Sequence, residues 1–186
     1  MKISVSLCYV IGLILSCAAF GSYAQAITTL ENPALKAPNI VQISPLLVSS
    51  GQPTAQSLAR LRQLGFGAVI YLAPPTVPDA VPEESALVQD QGLDFVNIPI
   101  PFGKPTAADF VEFKAALQRF SGRKVLVHCQ VNMRGSSMVF LHRVLVGQEA
   151  PDVAYEAVAQ VWSPDGIWRE FIVSMLRENK IDFEPY

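Results

Sequence analysis

The chain has 186 residues, 51% of them hydrophobic, which suits one domain with a sizeable core plus a targeting segment. Its net charge of −2, with no basic stripe or cluster, excludes a nucleic-acid footprint and any strong pull toward an anionic membrane surface. Lys2 precedes an apolar run from Ile3 to Leu15, and small residues follow, with a cleavage site expected at Ser22-Tyr23-Ala24 or Ala24-Gln25-Ala26. That layout reads as a secretory signal peptide cleaved after export to the periplasm or the medium. Ile3 to Phe20 also approaches bilayer-spanning length, and Cys17 sits in a loose lipoprotein-like box, so an uncleaved or lipidated anchor stays open. The expected organisation is a signal peptide over 1–24, an exposed lead-in over 25–38 and one domain over 39–186.

Short strands are expected at Ile40 to Ile43 and Leu46 to Val48, turning near Pro45. Thr54 reads as an N-cap, Leu58, Leu61 and Leu64 as a helix stripe, and Gly65 as its stop. A buried strand at Ala68 to Leu72 precedes a proline-rich loop, Pro74 to Pro82. Glu83 to Gln91 reads as a helix and Phe95 to Ile98 as a strand. Thr106 and Asp109 cap a helix reaching Phe120. Val125 to Val127 is a strand, and helices follow at Ser136 to Val146, Val153 to Val161 and Ile167 to Arg177. Strands alternating with helices predict an α/β fold, a central mostly parallel sheet with helices on both faces. Ligand sites in such sheets lie beyond the carboxyl ends of strands.

The run from Lys124 to Ser137 carries the most chemistry. A β-branched strand ends in His128-Cys129, a short polar loop follows, then Arg134 and small residues that open a helix. Loop amides and a helix N-terminus make an anion cradle, and the same field favours a thiolate. Arg134 offers a planar fork that matches two phosphate oxygens. Cys8 and Cys17 fall in the signal segment, so Cys129 is the lone thiol after cleavage and belongs to no internal disulfide framework.

This segment resembles the His-Cys-x5-Arg-Ser/Thr loop of the cysteine-dependent tyrosine and dual-specificity phosphatases. Ser50-Gly51-Gln52-Pro53 and Ile98-Pro99-Ile100-Pro101 extend the likeness to a bacterial branch of that superfamily, from about Asn39 to about Leu176. The resemblance implies a dual-specificity phosphatase-like fold. The spacing departs from the pattern, since only Gln130, Val131, Asn132 and Met133 separate Cys129 from Arg134. Either the loop is one residue short and Arg134 is the clamp, or Gly135 stands where the arginine belongs and Ser136 takes the Ser/Thr position. A shift of one residue at a helix start rotates a side chain by roughly 100°. Asn132 lies nearest the family's loop glycine, and asparagine tolerates positive φ.

The resemblance implies roles for each residue. Cys129 attacks phosphorus, Arg134 and the amides of the Gln130, Val131, Asn132, Met133 and Gly135 loop hold the oxygens, His128 orients the loop, and Ser136 assists departure of the thiolate. The loop that matches the family's general-acid loop, Pro99 to Thr106, has no carboxylate. Asp109 is a candidate acid but fits the third position of a helix cap better. Lys104 is read as a solvated loop lysine that could meet an anion. His142 is read as a packing or surface histidine, and Trp162 and Trp168 as packing the last two helices together. No cofactor and no metal cluster are expected. The leading function is an exported phosphatase of the cysteine type, acting through a phosphocysteine on a phosphorylated protein or a small phosphomonoester. A non-catalytic phosphatase-like domain that binds an anion or a protein, and a rhodanese-like sulfurtransferase with Cys-x4-Arg spacing, stand as alternatives.

Overall fold

The structure, a computed structural model, describes residues 34–186. The expected signal segment, with Cys8 and Cys17, lies outside the described residues. Five short strands form one sheet in the order β1-β2-β5-β3-β4: β1 Val41–Ser44, β2 Leu47–Ser50, β3 Ala68–Tyr71, β4 Asp94–Asn97 and β5 Val125–His128. Only β1, at one edge, runs antiparallel; β2, β5, β3 and β4 are mutually parallel. The register sets Ser50 and Tyr71 opposite His128, so three strands finish level with the site.

Alternation along these strands feeds two cores, because successive side chains point to opposite faces. Ala68, Ile70, Val125 and Val127 join the larger core, packed under α3 (Ala107–Arg119), α4 (Met133–Leu145), α5 (Pro151–Ala159) and α6 (Gly166–Glu178). Val48, Val69 and Leu126 join a smaller core with Leu58 and Leu61, and with Val88 of α2 (Glu84–Gln89). A strand buried on both faces reads as an unbroken apolar run, as Val125-Leu126-Val127 does.

Three elements differ from the sequence expectation. The helix after Thr54 is a single α-turn, α1 (Ala55–Leu58). Beyond it the chain tightens to bonds between residues three apart, such as Leu64 N–H to the Leu61 carbonyl at 3.1 Å, before Gly65 reverses it at φ +80°. Helix α4 begins at Met133 rather than Ser136, because Asn132 adopts φ 70° and turns the chain directly from loop to helix. Trp162 and Trp168 do not simply clamp the last helices. Both lie against the Phe102 ring, at centroid distances of 6.1 and 5.7 Å, and Trp168 Nε1–H donates to the Phe102 carbonyl at 2.8 Å.

Candidate active site

Cys129 follows the last residue of β5 and is fully buried. Its amide is used by the sheet, donating to the Ser50 carbonyl at 3.3 Å. The first backbone bond of α4 runs from Ser136 N–H to the Asn132 carbonyl at 2.8 Å. The amides of Met133, Arg134 and Gly135 therefore precede the helical ladder, as the opening N–H groups of any helix do. They supply the partial positive charge expected at a helix start beside a thiol.

The turn that makes this cradle is anchored from outside. Asn132 Nδ2 donates to the Asn39 carbonyl at 2.7 Å and to Ser49 Oγ at 3.0 Å, and Asn39 Nδ2 donates to the Val131 carbonyl at 2.9 Å. Gly135 must be glycine here, since a Cβ would sit 2.5 Å from Asn132 Oδ1. Gly51 must be glycine as well, because a Cβ would meet the Gln130 carbonyl at 2.7 Å. That close approach lets Gln52 N–H donate to the same carbonyl at 2.8 Å. The Gly-Gln pair thus fixes the loop's first residue.

Beneath Cys129 lies a buried polar cluster. His128 Nε2 is 2.6 Å from Glu84 Oε1, and both residues are buried. The two atoms meet in close polar contact without hydrogen-bond alignment. Gln52 Nε2 donates to Glu84 Oε2 at 2.8 Å. The Tyr71 ring stacks on the imidazole at 4.7 Å. Burial, then the charges of Glu84, Asp79 and Cys129, push the Tyr71 phenol up to about 12, against a smaller opposing pull from Arg134. Tyr71 therefore stays a neutral donor, and its hydroxyl reaches the Pro74 carbonyl at 3.4 Å.

Arg134 lies in the first turn of α4 and is 4% exposed. Its Nε–H donates to the Ile100 carbonyl at 2.9 Å, and its guanidinium carbon stands 5.1 Å over the Phe102 ring. Nη1 lies 3.4 Å from Gln130 Oε1, and Nη2 has no protein acceptor among the described residues. The guanidinium is thus held from one side by the 98–103 segment, leaving its outer nitrogens for a ligand. Phe102, braced by the two tryptophans, sets that position.

The other expected residues separate by their contacts. Gln130 is half-buried and links Arg134 to Asp79, its Nε2 donating to Asp79 Oδ1 at 2.7 Å. Val131 is exposed and Met133 half-buried. Ser136 is buried and its hydroxyl donates back to the Met133 carbonyl at 3.2 Å. Asp109 is tied into a capping box, its Oδ2 accepting from the Thr106 amide and hydroxyl at 2.7 Å each. Lys104 is exposed on the facing loop. His142 packs edge-on against Phe113, and burial, aided by the Lys114 charge, lowers its pKa below 6.5. Sequence reasoning missed Glu84, Phe102 and Asp79. Glu84 opens a helix, where carboxylates are common for dipole reasons alone, so its inward turn left no signal.

Residues 39–170 match the model of the family described as DSP-PTPase phosphatase fused to NAD+ kinase. A crystal structure of a DUF442 protein from Shewanella putrefaciens CN-32 is 30% identical, covers 79% of this chain and 93% of its own, and superposes with a TM-score of 0.69. A beta-lactamase hydrolase-like protein of Xylella fastidiosa is 30% identical over 61% of this chain, and the match spans 27% of that protein's length. The core catalytic domain of the PP-IP phosphatase SIW14 from S. cerevisiae shares the fold at a TM-score of 0.61, with 12% identity over 79% of this chain and 96% of that one.

Proposed function

The chain belongs to the DSP-PTPase phosphatase family, and from that premise we propose that it hydrolyses phosphomonoesters through a phosphocysteine intermediate on Cys129. The observation that carries this reading is the joint burial of Cys129 and Arg134 on either side of a loop whose helix amides precede the α4 ladder. The Cys129 sulfur attacks phosphorus, and the ester bond divides into two easier steps. Met133, Arg134 and Gly135 amides meet two of the nonbridging oxygens, and the outer guanidinium nitrogens meet the third, where charge is redistributed in the transition state. His128, fixed by Glu84 and Tyr71, holds the strand end in register beneath the sulfur. Full burial of Cys129 requires a neighbouring side chain to move on binding. Gln130 is the one suited to it, since a phosphate oxygen can replace its Oε1 at Arg134 Nη1.

The start of α4 at Met133 supports reading Arg134 as the clamp despite the short Cys-to-Arg spacing. The substrate is a phosphorylated protein or a small phosphomonoester, and the N-terminal segment directs export to the periplasm or medium. A binding-only reading draws on one observation: residues 99–106 present no carboxylate to the site. Turnover of para-nitrophenyl phosphate by the chain, abolished in Cys129→Ser, supports the enzymatic reading. Phosphate binding by folded protein without turnover supports the binding reading, and thiocyanate formation from thiosulfate and cyanide would replace both with sulfur transfer.

A further inference from the structure

We propose that Asp79, on the proline-rich loop after β3, is the general acid that protonates the leaving oxygen; this rests on the cysteine-phosphatase reading above. Four observations lead there. The loop before α3 offers no carboxylate, and the nearest one, Asp109, has Oδ2 engaged twice by Thr106. Glu84 is buried and divided between His128 and Gln52. Asp79 is exposed, yet it is tied to the residue that follows Cys129, accepting from Gln130 Nε2 at 2.7 Å through Oδ1 alone. Asp79 and Cys129 both help raise the Tyr71 phenol through their charges, alongside the geometric tie through Gln130.

Topology makes the assignment coherent. β3 is the direct neighbour of β5, and Tyr71 pairs with His128 in the register. The loop leaving β3 therefore rises beside the mouth of the cradle, at the carboxyl end of the sheet where ligands gather. Gln130 joins the carboxylate to Arg134, so a phosphoester that displaces Gln130 from Nη1 arrives with Asp79 alongside. In the first half-reaction the sulfur bonds to phosphorus, the ester oxygen leaves, and the Asp79 carboxyl proton passes to that oxygen. In the second, water attacks phosphorus, its proton returns to the Asp79 carboxylate, and the sulfur departs as thiolate with release of inorganic phosphate.

The test is a leaving-group series on the full chain, from para-nitrophenyl phosphate through phenyl phosphate to an alkyl phosphate. Asp79→Asn is expected to lower kcat/KM by about 10²-fold or more on the alkyl ester and by less than about tenfold on the nitrophenyl ester, whose phenolate departs without a proton. Equal losses on both, no loss on the alkyl ester, or a wild-type chain that turns over the nitrophenyl ester alone would overturn the assignment. Gln130→Met separates direct from indirect action. It should weaken all esters alike, and a leaving-group-dependent loss matching Asp79→Asn would show that Asp79 works only through Gln130. Cys129→Ser keeps the two levels apart. Turnover that survives it overturns the phosphocysteine reading and this inference together, whereas Cys129-dependent turnover with an unselective Asp79→Asn overturns this inference alone.

Discussion

Removing Glu84 should damage the fold more than its place on a six-residue helix suggests. The carboxylate faces two buried partners, Gln52 Nε2 at 2.8 Å and His128 Nε2 at 2.6 Å. Glu84→Ala takes the acceptor from Gln52 Nε2 and the close polar contact from His128 Nε2, at about 1–3 kcal/mol for each buried group left unpaired, and the cavity adds to that. A loss of about 3–5 kcal/mol follows, the range seen when one partner of a buried pair is removed. That is about a fifth or more of the stability of a typical domain and lowers Tm by roughly 6–20 °C. Glu84→Gln keeps an oxygen for Gln52 Nε2 and a polar group of the same size against His128. Its cost should be about 1–2 kcal/mol. Urea denaturation of the wild-type chain and both variants measures the order. Glu84→Ala within about 0.5 kcal/mol of wild type would refute the reasoning, because only a solvated carboxylate behaves that way.

Other perturbations report on separate parts of the site. Arg134→Lys removes the fork and the stack on Phe102, and kcat/KM on para-nitrophenyl phosphate should fall by about 10²-fold or more with the fold intact by circular dichroism. Gly135→Ala places a methyl 2.5 Å from Asn132 Oδ1, which its bonds to Asn39 and Ser49 prevent from yielding. A cost of about 1–3 kcal/mol in chemical denaturation and a loss of phosphate binding are expected. Trp168→Phe deletes the donor to the Phe102 carbonyl, and KM should rise with little change in kcat as Arg134 loses its brace. His142 has a folded pKa below the 6.5 of the unfolded chain, so near that value the unfolded state takes up the proton first. Its contribution is complete above pH 6.5 and is lost as pH falls from there through the folded value. Lys114 and Phe113 of α3 face it. His142→Leu should flatten the fall in stability over that window, as followed by urea midpoints against pH.

Much of the architecture was legible because it depends on local pattern. The β-branched run Val125-Leu126-Val127 marks a strand buried on both faces, and Thr106 with Asp109 marks a helix start that the structure reproduces as a reciprocal capping box. The start of α4 was misplaced by three residues because Met133 and Arg134 look like loop continuation. What turns them helical is Asn132, held by Asn39 and Ser49 from distant parts of the chain. The polar cluster was hidden for the same reason. Glu84, Gln52 and Tyr71 come from separate segments, and only the sheet order β2-β5-β3 brings them around His128. Trp162 and Trp168 have apolar bodies suited to helix packing, and nothing local reveals that Phe102 reaches back to them.

The identity of the atom that receives the phosphoryl group tests the account most directly. Acid quench of the full chain during turnover of para-nitrophenyl phosphate, followed by peptide mass spectrometry, should find one added phosphoryl group on the peptide containing Cys129 and none in Cys129→Ser. A phosphoryl group on another residue, or steady turnover with no acid-trapped adduct and undiminished rate in Cys129→Ser, would contradict it.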